Sequence, residues 1–546
     1  MSTKRAVFKP DLQNQGLLFP PHLADMVPPH HKARLISQII DGMNIDSILS
    51  TYLGGGSSAY SPRMLLKVLV YAYSDRVYSS RSIEKACYEN VCYMWLSGMS
   101  TPDHNTINNF RKHRMGGRVK EVFAHVLLTL HEQGYVKLDD YFLDGTILES
   151  VAGRYTFVWK SNVERYKKSV LDQIGMIVSQ IDALCEKADK EDEQAADGDD
   201  QGDKLSDSAA VQETIDRLNK ALESQSPSTK EEAKEVKKAK TKLKNLESKS
   251  LPKLQEYERQ QELLGDRSSY SKTDHGATFM RPKDDHLGNG ELKPGYNAQV
   301  GTENHFVVNW TMHQTPSDAA CLIPHLEDTE SILSQIGLNL PKAITADAGY
   351  GNEEAYRYCE GKEIEAYLKY PGYYKEEQGV LKAPFAPSQL YYNEEQNVLI
   401  CPMGQHMTYC GEGEEKTASG YIRETSKYKA VNCIGCPLRG MCHKQDGNRV
   451  VTISHKGQSY RQQARARLST KEGRAKCLRR NAEVEGFFGN LKANLGRRRF
   501  TLKGLTGVNI EMGLLSIATN LRRLHKLSIE QGRSLLTPVV QRAQMT

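Results

Sequence analysis

The stretch RRNAEVEGFFGNLKANLGRRRFTLKGL, Arg479 to Leu505, decides how the rest of the chain is read. Val484, Phe487, Phe488, Leu491 and Leu495 recur at helical spacing and form one apolar stripe. Glu485 and Lys492 lie seven residues apart, two turns along the same side at the stripe's edge. Arg479, Arg480, Arg497, Arg498 and Arg499 surround them. A carboxylate held against a core, with cations around it, suits a site that handles phosphate and metal. A surface helix with a few ion pairs would carry the same pattern.

Two more carboxylates tilt the balance. YFLDGTILES sets Asp144 at the end of a short apolar run and directly before Gly145; KAITADAGYG sets Asp347 in a similar place, with Gly349 two residues on. A strand that ends in Asp and turns at Gly presents a carboxylate at a sheet edge. Two such Asp residues and a helical Glu supply the hard oxygen donors that Mg2+ prefers, and leave it waters that a phosphate oxygen can replace.

Asp144 in LDGT, Asp347 in ADAGYG and Glu485 in VEGFFGNLK, with Lys492 after it, resemble the DDE signature of bacterial insertion-sequence transposases. The resemblance runs from about residue 60 to about residue 525. It implies an α/β fold with an RNase H-like mixed sheet flanked by helices. It also implies that Asp144, Asp347 and Glu485 are catalytic and hold two Mg2+ (or Mn2+) ions. The implied reaction binds the element's ends on DNA, cleaves them by metal-assisted hydrolysis and joins their 3′-hydroxyls to target DNA. Lys492 and the five arginines would hold phosphates, and pairing two ends implies at least a homodimer. Glu483, two residues before Glu485, departs from the pattern; on a helix the two point about 200° apart, so only one can face the Asp pair. The spacing to Lys492 and the following phenylalanines select Glu485. Two other readings stay open: an RNase H-like nuclease without strand transfer, and a DNA-binding protein whose chemistry has been lost.

Composition agrees with such a protein. A chain of 546 residues exceeds one hydrophobic core, and 39% hydrophobic with 26% charged residues is ordinary for a globular protein. The net charge of +6 is uneven: residues 187–208 are acidic and 474–504 strongly basic, as a phosphate backbone requires locally. No apolar run approaches a membrane span, and MSTKRAVFKPDLQNQG lacks the apolar region of a signal peptide, so a cytoplasmic, nucleoid-associated protein is expected. Eleven cysteines then argue for thiols or metal ligands, not disulfides.

Along the chain, an N-terminal arm (1–60) with a GGGSS break precedes a helical domain (61–130). Its segments open with Ser, Thr or Pro start signals, and the last carries His104, Asn105, Asn108, Arg111, Lys112 and Arg114, a helix-turn-helix-like pattern expected to touch DNA. The catalytic domain is expected in three pieces, 135–154, 266–389 and 470–525. Between the first two, apolar four-three repeats with dense Lys and Glu predict an antiparallel helical pair, a coiled-coil insertion over 155–265 with an acidic tip near 189–208. The polar loop with Lys272, Arg281 and Lys283 is expected near the DNA, ahead of a hairpin around Gly301–His305. A second insertion, 390–452, contains Cys401, Cys433, Cys436 and Cys442, four soft ligands able to close one structural Zn2+ site. The segment 506–525 predicts an amphipathic helix, and 526–546 a tail.

Overall fold

The computed structural model describes residues 22–52, 58–189, 206–224, 229–282, 290–380, 385–417, 419–444 and 446–532. Most of GGGSS, the acidic tip, Lys283 and all but the first few residues of the expected tail lie outside them. The described strands are β1 (Asp140–Glu149), β2 (Phe157–Trp159), β3 (Ser269–Ser271), β4 (Thr278–Met280), β5 (Lys293–Glu303), β6 (Phe306–His313), β7 (Ala343–Ala346), β8 (Glu365–Leu368), β9 (Tyr391–Asn393), β10 (Val398–Ile400), β11 (His406–Lys416), β12 (Ile422–Ala430) and β13 (Val450–Ile453). Helices accompany them throughout, so the fold is mixed α/β.

The main sheet runs β6-β5-β1-β7-β8, with the short β4 added to β5. β5 is antiparallel to β1 and β6, whereas β7 runs parallel to β1, and β8 to β7. The β5–β6 hairpin is tighter than its sequence predicts. Both strands extend until only Asn304 and His305 remain, and these take φ of 51° and 60°, the left-handed pair that a two-residue turn matching the strand twist demands. Gly301 is therefore inside β5, where its missing side chain makes room for the Tyr141 ring on β1. β7 is buried along its whole length, as a parallel strand covered on both faces should be. The helix Glu353–Gly361 after it is capped by Asn352, whose side chain accepts from Ala355 N at 2.8 Å.

One apolar core runs from Val27 to Leu524, so the N-terminal helices are not a separate unit. The connecting piece is the helix Gly504–Glu530. It is buried on nearly every side from Val508 to Ala518, not amphipathic as expected, because it is packed between β6 and the helices Pro62–Ser74 and Val119–Glu132. Gly513 is what allows this: a Cβ there would lie 2.7 Å from the Trp310 indole.

The first insertion differs from the expected pair. It has three helical arms: Lys160–Asp189, Ser208–Ser224, and a third from Lys230 to Leu264 with a π turn at Leu246–Ser250. Ile174, Ile181, Ile215, Leu218, Leu243 and Leu254 share an apolar core of their own. The apolar repeat around Ile215 is long enough to make a helix in its own right, so it does not serve as an extension of a neighbour. β2 and β3 pair at the base and bring the insertion's two ends together. The second insertion is a five-stranded antiparallel meander, β9 to β13, around Leu399, Met407, Tyr428 and Val451.

Candidate active site

Asp144 does not end its strand. It sits within β1 opposite Val300, and β1 continues to Glu149. Gly145 is needed for close approach, not for a turn: a Cβ there would lie 2.8 Å from both Asp318 Oδ1 and the Gln299 carboxamide carbon. Asp347 follows the last residue of β7, and its Oδ1 accepts from Ala348 N at 2.6 Å as the chain turns. The parallel register pairs Asp140 with Ala343 and Phe142 with Thr345; carried on, it sets Asp347 beside Asp144.

The third carboxylate arrives on a helix that is not uniformly α. Lys471–Arg480 is α-helical, Asn481–Glu485 is a π turn, and a second π turn follows at Asn490–Asn494. Such turns widen the helix and re-aim side chains, and they are frequent at functional sites. Here they divide the two glutamates. Glu483 is buried, accepts from His305 N and pairs with Arg479 at 3.5 Å, so it belongs to the hairpin. Glu485 is 61% exposed and lies 4.0 Å from Arg480 Nη2. Arg480 Nη1 in turn is 3.2 Å from Asp144 Oδ2. One guanidinium therefore joins the first and third carboxylates.

Asp318, which no sequence pattern singled out, is a fourth carboxylate here. It accepts from Asn297 Nδ2 at 2.8 Å and Gln299 Nε2 at 2.9 Å. The only sequence cue is an acid at the start of the helix after β6, a weak one. The concentration of charge registers on neighbours. Burial, reinforced by Asp318 and Asp144, holds the Tyr350 phenol well above its ordinary pKa. Burial raises the Cys477 thiol; Glu377 and Asp347 add to this while Lys369 and Arg480 oppose it. Among the described residues, no three or more His, Cys, Asp and Glu side chains are grouped to hold a metal ion as they stand.

A family model described as a transposase DDE domain matches residues 400–525, and one described as a transposase domain matches residues 21–113. Two separate stretches of the chain thus resemble transposase domains, the later one a DDE domain. No curated protein and no solved structure matches it. The DDE match takes in the Glu485 helix and the cysteine-bearing meander but not Asp144 or Asp347, which lie earlier in the chain. Among the described residues no helix is long and apolar enough to cross a membrane.

The cations read from sequence as phosphate contacts divide into two kinds. Arg497 is buried in an ion pair with Glu511 and lies 4.3 Å from the Tyr78 ring centre, so it faces the core, not a ligand. Arg111 is likewise buried, donating to Tyr78 O at 2.9 Å and Asn108 Oδ1 at 3.0 Å. Arg114 stacks on Tyr52 at 4.4 Å and donates to Thr51 O. Arg499 clamps the end of β1 through Ser150 O and Ala152 O, 2.8 and 2.9 Å away. Arg479 spans Asp140 and Asn304, and His104 pairs with Glu84 at 2.9 Å. Arg498, Lys112, Asn105, Lys272 and Arg281 are exposed, and Lys492 is half-buried. The helical domain has one helix more than its three segments predict: after Pro62–Ser74, residues 79–99 form two helices, Ser80–Glu89 and Val91–Ser97, broken at Asn90, and His104–Asn109 then runs into a π turn, Phe110–Arg114.

The four cysteines expected to bind zinc line a common cavity, but among the described residues they are not grouped closely enough to hold a metal ion as they stand. Cys401, Cys433, Cys436 and Cys442 line one cavity of about 20 Å³ with His443. N–H groups point at three of the sulfurs: Gln405 N at Cys401 Sγ (3.3 Å), Arg449 N at Cys433 Sγ (3.3 Å) and Arg449 Nη1 at Cys442 Sγ (3.0 Å).

Proposed function

We propose that this chain is a DNA transposase that binds the ends of an insertion sequence, cleaves them and joins their 3′-hydroxyl ends to target DNA. What supports the reading is Asp144 on β1 and Asp347 directly after the parallel β7, whose register, carried on, would set the two side by side, with Arg480 lying 3.2 Å from Asp144 and 4.0 Å from Glu485. Within the six-stranded main sheet, the five strands β6-β5-β1-β7-β8 run in that order with β5 alone reversed among them, the arrangement of an RNase H-like catalytic domain, which supports the reading further. The donor set is chemically suited to Mg2+ or Mn2+: oxygen ligands from three elements, with Asp144 and Asp347 able to share an ion and Glu485 to complete a shell. Two such ions held by these residues would supply a hydroxide nucleophile and charge stabilisation for the leaving 3′-oxygen. The chain's own contribution is to fix the carboxylates. Asp144 is held in a paired strand, Asp347 by its own turn, and Asp318 ties the amides of Asn297 and Gln299 behind Gly145. Exposed Arg498, Lys112, Lys272 and Arg281, with Lys492, are assigned to DNA phosphates, for which a mobile cation near the surface is suited.

The test uses Asp144→Asn, Asp347→Asn and Glu485→Gln in a strand-cleavage assay on DNA carrying the element's ends. Each is expected to lower cleavage by roughly a hundredfold or more while DNA affinity stays within about threefold. Asp347→Ala cleaving as fast as the parent would falsify the assignment. Joining of pre-cleaved ends separates a transposase from a nuclease without strand transfer. We assign the active form to a DNA-bound homodimer in the bacterial cytoplasm, associated with the nucleoid.

One structural Zn2+ on Cys401, Cys433, Cys436 and Cys442 also belongs to this reading. N–H groups aimed at sulfur favour the thiolate, the form that ligates metal. Four thiolates would leave no open position, so the ion would clip the meander and take no part in the chemistry.

A further inference from the structure

Arg480, like Arg497, is a buried arginine with guanidinium nitrogens that lack an acceptor among the described residues, and it lies between two of the candidate carboxylates. Its side chain is 5% exposed, yet among the described residues Nε and Nη1 find no hydrogen-bond acceptor. The 3.2 Å approach of Nη1 to Asp144 Oδ2 is thus a charge contact off the bonding direction. Nη2 donates to Asn481 Oδ1 at 3.2 Å and lies 4.0 Å from Glu485 Oε1. A buried guanidinium gives up water at high cost and is normally repaid by a full set of acceptors. What this one has is negative charge: Asp144 on β1 and Glu485 at the end of the π turn that begins just after it. Its charge is felt at both Tyr350 and Cys477, the groups that also feel Asp144 and Asp347.

Two carboxylates facing the same guanidinium repel less with that cation between them than without it. A divalent ion ligated by Asp144 and Glu485 would be a second cation in contact with the same oxygens, and the two positive charges would repel in turn. We propose that Arg480 is a resident counter-cation of the carboxylate site: it holds Asp144 and Glu485 together in the metal-free chain and must withdraw from them when a divalent ion binds. It is a positioning residue, acting through the carboxylates. The inference rests on the reading that Asp144, Asp347 and Glu485 bind the ions.

The experiment measures Mn2+ affinity of the full chain without DNA by electron paramagnetic resonance, beside the melting temperature with and without Mn2+. Arg480→Gln is expected to bind Mn2+ about tenfold more tightly than the parent, since a like charge has left the site. It should melt lower without metal and gain more on adding it. Arg480→Lys, shorter and with one point charge, should fall between. If Arg480 instead merely orients the carboxylates for the ion, both variants will bind Mn2+ as the parent does or more weakly, and the proposal fails. Should Arg480→Gln not fold, Arg480→Lys decides: affinity no tighter than the parent's overturns it. Asp144→Asn separates the two levels. If it leaves Mn2+ binding intact, the metal-site reading itself is lost. If it abolishes binding while both Arg480 variants leave the affinity unchanged or weaker, only the inference about Arg480 is lost.

Discussion

Arg497 shows how little a residue's charge says about its task. In sequence it stands in a run of three arginines and reads as a phosphate contact. In the fold it is paired with Glu511, which is fully buried and also accepts from Thr501 N at 2.9 Å and Leu502 N at 3.0 Å. Removing the arginine would leave a buried carboxylate without its counter-charge. Arg497→Ala is therefore expected to cost about 3–5 kcal/mol of stability in urea unfolding. Arg498→Ala, at an exposed neighbour, should cost less than about 0.5 kcal/mol and weaken DNA binding instead. An Arg497→Ala chain as stable as the parent would overturn this division. The strand placement of the Asp residues was legible in part: Asp347 follows β7, but β1 runs on past Asp144. An Asp after an apolar run and before Gly is a local signal, whereas burial of Arg497 or Arg111 depends on Glu511 and Tyr78, partners distant in sequence. Asp318 was invisible for the same reason: it is defined by Asn297 and Gln299 across the sheet.

At the scale of elements, periodicity located the β5–β6 hairpin to within a few residues, because two alternating runs on either side of a short polar stretch leave little choice. It mistook the helix Gly504–Glu530 and the three-armed insertion, where the number of packed faces is set by tertiary neighbours. The seam between β1, β6 and the helix Leu322–Gln335 has a consequence for pH. His325 is wholly buried, with Nε2 against Tyr141 OH at 2.6 Å and Nδ1 against Thr311 Oγ1 at 2.8 Å; Lys120, His313 and Asp328 lie around the same seam. Burial, with Lys120 and His313 adding, holds its imidazole well below the usual 6.5. The unfolded chain takes up a proton below that value and the folded chain does not. Stability is thus complete above pH 6.5 and falls as the pH drops below it, by up to about 1.4 kcal/mol per unit for this group. His325→Gln should flatten the urea midpoint between pH 7 and pH 5.5 relative to the parent. Equal slopes in the two chains would rule His325 out as the source. The cysteine meander yields a second outcome: purified chain should contain about one zinc by mass spectrometry, and Cys433→Ser with Cys436→Ser should lose it. Metal content unaffected by that double change would dismiss the zinc assignment.

For the whole molecule, the distribution of cores predicts what can be removed. The N-terminal helices and the main sheet share one apolar core through Gly504–Glu530; Tyr78 OH even donates to Leu495 O, at 3.1 Å, on the segment that follows Glu485. A truncation before Asp140 would strip apolar partners from that helix and is expected to abolish folding. The first insertion is attached differently. Its core is separate, and its ends return to the sheet side by side at the β2–β3 pair, where Phe157 faces Ser271 and Trp159 faces Ser269. Replacing residues 162–263 with a short Gly-Ser linker should therefore leave the melting temperature of the remaining chain within a few degrees of the parent's, since a flexible closure adds little entropy cost beyond the loop it replaces. The same deletion discriminates the arm's role. If the arm is a solvated spacer, cleavage of the element's ends persists; if it clamps DNA or pairs protomers, cleavage falls while the fold stays. Loss of the cooperative melt in the deleted chain would mean that the arm supports the catalytic sheet after all, through Tyr270 and Val158 at its base.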